Sequence, residues 1–187
     1  MEDYAYVLDY LSQGRTDPTN RHRPMRREPI VLAVGEREFK LFELLPEKNA
    51  ILSIGDRVYI GKEISRRDKI HSVKGRIGYD SLTHTATAEL PFILEEIVKT
   101  NEERFVDFIN RAHPISARYH MLELLPGIGK KMMWAIVNEI KANGPFKSFE
   151  DMEKRIAILH HPEKIIAQRI EYEIKERNLK YRLFVAR

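Results

Sequence analysis

The feature that most constrains this chain is a break in the middle of a helical pattern. Between Leu124 and Val137 the sequence reads LLPGIGKKMMWAIV. Pro126-Gly127-Ile128-Gly129 cannot continue a helix, while the residues on both sides of it carry helical apolar spacing. Upstream, Met121, Leu122 and Leu125 predict a short helix that Ser116 can cap. Downstream, Met132, Met133, Ile136, Val137 and Ile140 recur at three- and four-residue steps, the mark of one buried helical face. Two helices therefore meet at a very short turn. Glycine reaches positive φ without steric cost, so Gly127 and Gly129 let the backbone double back and leave no side chain in the way of a visiting group. The second helix then turns its N-terminus outward. Its unpaired N–H groups, its positive dipole end and the charges of Lys130 and Lys131 together suit a phosphate oxygen. Ile128 is expected to plug the groove between the helices. The alternative is an ordinary corner inside a helical core. A nucleotide-binding loop does not fit, because its Gly-Lys would be followed by Ser or Thr after a strand, and here Lys131 and Met132 follow a helix.

L-P-G-I-G-K-K between two amphipathic helices resembles the helix-hairpin-helix motif. The resemblance implies a grip on the sugar-phosphate backbone without base reading, with Gly127 and Gly129 as backbone donors flanking Ile128, Lys130 as the phosphate-contacting lysine and Lys131 as added charge. It also leaves room for a monovalent cation bridged by hairpin carbonyls; no other cofactor is expected. A second copy follows. An offset of 34 residues pairs Leu125 with Leu159, Lys130 with Lys164, Met132 with Ile166 and Ile136 with Ile170. At the turn itself His161 and Glu163 replace the glycines, so this degenerate hairpin is expected to pack rather than bind.

Composition sets bounds on the rest. In 187 residues, 43% of them hydrophobic, there is material for one large domain or two small ones. The formal net charge of +4 favours a polyanionic partner, but 28 acidic residues against 32 basic ones make distribution more informative than the total. The absence of cysteine removes disulfides, thiolate metal sites and thiol nucleophiles. No apolar run reaches membrane-spanning length, and Glu2 and Asp3 stand where a signal peptide would be basic, so a cytoplasmic protein without a membrane partner is expected. Of the seven histidines, only His160-His161 form a close pair, and adjacent residues on a turn do not aim two imidazoles at one ion; no metal site is expected.

In chain order, the alternation of Tyr4, Tyr6, Leu8 and Tyr10 predicts a strand, and Gln13 to Glu28 predicts a basic arm with Arg15, Arg21, Arg23, Arg26 and Arg27. Strands are expected at 30–34, 38–45, 51–54, 57–60 and 70–79, with Gly75 and Gly78 allowing the curvature of a small barrel. S-I-G-D-R-V-Y-I-G resembles the strand-turn-strand of OB-like barrels. Arg57, Lys62, Arg66, Arg67, Lys69, Lys74 and Arg76, interleaved with Tyr59 and near Tyr79, can line a groove in which phosphates are neutralised and bases stack, or can form a solvated face over core tyrosines.

From Thr85 the pattern turns helical. One helix is expected to begin near Pro91, another after the capping signature Thr100-Asn101-Glu102-Glu103, and a third after Ser148. The reading is an α+β protein: residues 1–83 an OB-like β-barrel domain with a basic arm, residues 84–187 an all-helical domain with tandem helix-hairpin-helix motifs. Glycosylases of the hairpin class carry an aspartate beyond the hairpin, but Asp151 follows Ser148 in a capping position, and no catalytic residue is assigned; neither glycosylase nor nuclease activity is expected.

The order of an aromatic first strand, R-R-E-P, a barrel ending near D-S-L-T, F-V-D-F-I-N and E-L-L-P-G-I-G-K-K resembles the archaeal domain of unknown function 655. Its members are described as predicted RNA-binding proteins, which implies RNA rather than DNA as the partner and a link to translation or the ribosome. The alternatives are a DNA repair or processing factor, and a protein-interaction module whose hairpin only packs.

Overall fold

The computed structural model describes residues 1–15 and 28–187. Arg21, Arg23, Arg26 and Arg27 of the expected arm lie outside the described residues. The chain is α+β. Internal packing divides it into two units, Met1–Ile93 with Phe184–Arg187, and Leu94–Leu183.

The first unit holds five strands, β1 (Tyr4–Leu11), β2 (Ile30–Gly35), β3 (Leu41–Pro46), β4 (Arg57–Tyr59) and β5 (Ile70–Ile77). They form one antiparallel sheet in the order β4-β1-β2-β3-β5. Val, Ile and Tyr recur in β1, β2 and β4, as suits strands, whereas β3 relies on leucine and Phe42. Ala5, Val7, Val31, Ala33, Phe42, Leu44, Val58, Ile60 and Ile70 make one apolar cluster. The core residues of β1 are thus Ala5 and Val7 rather than the tyrosine row, although Tyr6 and Leu8 are also buried. Register shifts between Val7 and Asp9 on β1, and beside Gly75 on β5, bend the sheet into a barrel-like curve. The curve is open, since no ladder among the described residues joins β4 to β5. The expected strand at 51–54 does not form. The Asp56 carboxylate accepts the Ser53 N–H and the Asp56 N–H reaches the Ser53 carbonyl, which closes a turn and leaves Ile51 in solvent.

Helix α1 (His84–Thr100) starts two turns before the expected position, with Pro91 inside it. The Thr83 hydroxyl accepts the Ala86 N–H and donates to the Asp9 carboxylate, fixing the helix start to β1. The division between units falls within this helix.

In the second unit, α2 (Glu102–Arg111) buries Phe105, Val106 and Ile109. The expected capping box at its start is absent: Asn101 donates to the Ile97 carbonyl, and Glu102 accepts the Phe149 N–H. α3 (Lys130–Asn143) ends at Gly144 with φ +83, a left-handed stop that suits glycine. α4 (Phe149–Arg155) is capped by Ser148, whose hydroxyl accepts the Asp151 N–H at 3.0 Å. α5 (Pro162–Lys175) begins with proline in its first turn, where the missing donor costs nothing. Arg155 ties the end of α3 down by donating to the Gly144 and Pro145 carbonyls, and the Asn110 amide pairs with both backbone groups of Phe146 at 2.8 Å. No helix among the described residues is long and apolar enough to cross a membrane.

Candidate nucleic-acid interface

The residues before the hairpin form a single 3-10 turn, Met121–Leu124, rather than a full helix. Its cap is His120, not Ser116. The His120 Nδ1 accepts the Leu122 N–H, and the Glu123 carboxylate reaches back to the His120 N–H at 2.8 Å. Ser116 instead closes its own turn by accepting the N–H groups of Arg118 and Tyr119. Burial holds the His120 imidazole below its usual pKa, so it is neutral near pH 7, and acceptance at Nδ1 puts its proton on Nε2. The His120 N–H, followed by the Lys130 ammonium, holds the Glu123 carboxyl below its usual range.

The hairpin then turns through Gly127, which has φ +78, and Ile128 is buried as expected. Gly129 is the N-cap of α3 with an extended backbone and no side-chain cap. A methyl built on either glycine would meet nothing within 4 Å, so the outer surface of the turn is bare backbone facing open space. The N–H groups of Gly129, Lys130, Lys131 and Met132 find no acceptor among the described residues. Four donors at a helix start, beside two glycines with open space around them, are what an anionic oxygen requires. Lys130 leans back, donating at 3.1 Å to both the Glu123 carboxylate and the Arg118 carbonyl, although its side chain is 67% exposed. Lys131 and the side chain of Arg118 have no partner among the described residues, so these are the uncommitted charges of the turn.

One residue that sequence reasoning missed positions this turn. Arg169, buried on α5, donates to the Leu124 carbonyl at 3.1 Å, to the Tyr181 carbonyl at 2.8 Å and to Glu173 at 2.8 Å. It satisfies a carbonyl at the end of the 3-10 turn and fixes the hairpin to α5. The only signal in the sequence was an arginine on a helix face that otherwise carries Ile166 and Ile170.

The second turn shares part of the first turn's backbone, although its helix starts two residues earlier, at the equivalent of Ile128. Gly127 and His161, equivalent under the 34-residue offset, both have positive φ, +78 and +50. The Leu125 N–H bonds to the Leu122 carbonyl, and the Leu159 N–H to the Ile156 carbonyl. Ile128 and Pro162 are both buried. His161 also groups with Glu153 and Glu163, one donor atom of each within 4.8 Å of the others. Such exposed groupings are common without an ion, and nothing else at this turn points to a metal.

The basic residues of the sheet are differently placed. Arg57 is held by both oxygens of Glu36 and lies over the Tyr4 ring. Arg66 covers the face of Tyr59 at 4.4 Å and donates to the Tyr4 hydroxyl. Tyr59, 7% exposed and packed against Tyr4, leaves no face free for a base, which fits the alternative of a solvated face over core tyrosines. Arg67 donates to the Ile60, Gly61 and His71 carbonyls, bridging the end of β4 to β5 across the opening in the sheet. Lys69 pairs with Asp56, and Lys74 with the buried Glu43. Lys62 and Arg76 are exposed and without partners among the described residues. Asp151 accepts from the Lys147 N–H and from Arg155, and the first of these chiefly lowers its pKa; it works as a cap.

The sequence matches the family described as protein of unknown function (DUF655) over residues 1–186. The chain belongs to this family. It is similar to the uncharacterised protein MJ0038 of Methanocaldococcus jannaschii, with 47% identity over 185 residues, 98% of this chain and 80% of that protein. It is also similar to the crystal structure of Af1531 from Archaeoglobus fulgidus, at 48% identity and a TM-score of 0.89, covering 99% of this chain and 100% of that one. The α+β fold is thus shared with a solved archaeal member of the family.

Proposed function

We propose that the protein binds nucleic acid without sequence specificity, holding backbone phosphate at a helix-hairpin-helix turn formed by Gly127, Ile128, Gly129, Lys130 and Lys131. The observation that carries this reading is the run of unaccepted N–H groups from Gly129 to Met132 behind two glycines with open space before them. Lys131 supplies the mobile charge, and Lys130 can exchange Glu123 for a phosphate. RNA is favoured over DNA, with a cytoplasmic, translation-linked role, on the family resemblance alone. The sheet is taken as an OB-like module whose contribution comes from Lys62 and Arg76, whose side chains have no partner among the described residues. No catalytic residue, metal or cofactor beyond a monovalent cation at the hairpin belongs to this reading.

The test is Gly129→Ala. Its φ of −89 suits any residue and the added methyl meets nothing in the protein, so the fold should be kept. Charge-assisted hydrogen bonds are worth about 1.5–3 kcal/mol, so the methyl should weaken binding of a fluorescein-labelled single-stranded RNA by about tenfold or more in anisotropy titrations. Unchanged affinity would return the hairpin to a packing role, as in a protein-interaction module. Tighter binding of DNA than of RNA with the same sequence would favour a DNA-processing factor.

A further inference from the structure

Beside the hairpin lies a cavity of about 530 Å³, between the loop from His113 to His120 and the outer face of α3. Lys130, Trp134, Val137 and Lys141 fall on one face of that helix, at helical spacing, and all line the cavity. Across from them are Tyr119 and Arg118. Two features separate this cavity from an ordinary surface cleft. Trp134 and Tyr119 are 53% and 55% exposed, an unusual cost for large rings with no partner. Cations stand around them: Lys130 at the hairpin end, Lys141 two turns beyond Trp134, and Arg118 opposite, the last two without a side-chain acceptor among the described residues. A larger cleft of about 980 Å³ along α2 differs on both counts: Glu103 and Asp107 face Arg104, Arg111 and Lys147 in its lining, where this cavity has Glu123 alone, and its Phe146 is buried.

We propose that this cavity takes an unpaired nucleobase, stacked on Trp134 and Tyr119, whose neighbouring phosphate is the one held at the hairpin. The proposal rests on the phosphate-binding reading of that turn and extends it to the class of ligand: a single strand or a loop with splayed bases, rather than an uninterrupted duplex. The chemistry matches at each point. Aromatic faces accept any base, so the site need not read sequence. Cations on both sides of the rings suit the phosphates that flank a base on its own strand. The buried His120 adds a neutral imidazole in the tautomer that carries its proton on Nε2. Bases stacked inside a duplex are not available to such a pocket.

Trp134 is the single tryptophan of the chain, so its emission reports the pocket alone. The full-length protein is titrated with a twelve-nucleotide single-stranded RNA, with a strand of equal length whose central nucleotides are abasic, and with a blunt duplex. The base-bearing strand should quench Trp134 and bind about tenfold tighter than the abasic strand, as base stacking of about 1–3 kcal/mol implies. Trp134→Ala should bring the two strands to the same affinity, whereas Trp134→Phe, which keeps a ring, should retain most of the difference. Equal affinity of base-bearing and abasic strands for the unmodified protein, or no change in tryptophan emission at saturation, would overturn the proposal. If those strands still lose affinity on Gly129→Ala, the hairpin reading survives while the base pocket falls. Failure of every strand to bind would overturn both.

Discussion

The two turns of the helical unit share a left-handed reversal but enter their helices two residues apart: α3 starts at Lys130, whereas α5 starts at Pro162, the equivalent of Ile128. At each, a residue in the left-handed region reverses the chain, a leucine and its hydrogen bond close the approach, and a buried apolar residue follows. The difference lies in the donors. Lys130 and Lys131 keep free N–H groups, whereas at the equivalent positions the Lys164 and Ile165 N–H groups both bond to the His161 carbonyl. Pro162 has no N–H to offer, and Glu163 places a carboxylate where Gly129 leaves open space. A left-handed reversal and a run of free donors are therefore separable. The second turn retains the first property, and through Arg169 its helix buttresses the first turn.

The largest expected effect comes from breaking that buttress. Arg169→Leu removes the counter-charge of Glu173, which is 1% exposed, and strands the Leu124 and Tyr181 carbonyls. Loss of one partner of a buried ion pair costs about 3–5 kcal/mol, which a urea denaturation curve would show as a large drop in midpoint. Replacing both partners with apolar residues should recover much of the loss. A single variant within 1 kcal/mol of the parent would mean that α5 does not hold the hairpin.

A smaller effect is expected at the equivalent left-handed positions. His161 bears a side chain where the backbone favours glycine, at a cost of about 1–2 kcal/mol that the greater freedom of unfolded glycine partly offsets. His161→Gly should therefore stabilise the protein by about 0.5–1 kcal/mol and leave nucleic-acid affinity nearly unchanged, measured by urea midpoint and anisotropy respectively. A tenfold loss of affinity would place the second turn in the interface and erase the distinction between the two.

What could be seen from the sequence follows the range of the interactions involved. The turn before α3 was visible because proline and glycine act within a few residues, and the helix after the second turn because its apolar residues recur. The state of the sheet's charges was not visible, because Arg57 meets Glu36, Lys74 meets Glu43 and Arg67 meets main-chain carbonyls only once β1 to β5 have paired. A strand was expected at 51–54 because Ile51 and Ile54 outweighed a turn that Asp56 closes by a side-chain bond. Trp134 read as part of a helix, and only the fold reveals that it stands at the rim of a cavity rather than in the core.

The central proposal is that the free donors at the start of α3, which its later helix entry leaves exposed, make the first turn the binding element. Titrating the nitrogen-15-labelled full-length protein with single-stranded RNA and following its amide resonances tests this directly. The account predicts that Gly129, Lys130, Lys131 and Met132 shift first and furthest, while Glu163, Lys164 and Ile165 hardly move. Dominant shifts at the start of α5, or around Lys62 and Arg76 with a silent hairpin, would contradict it.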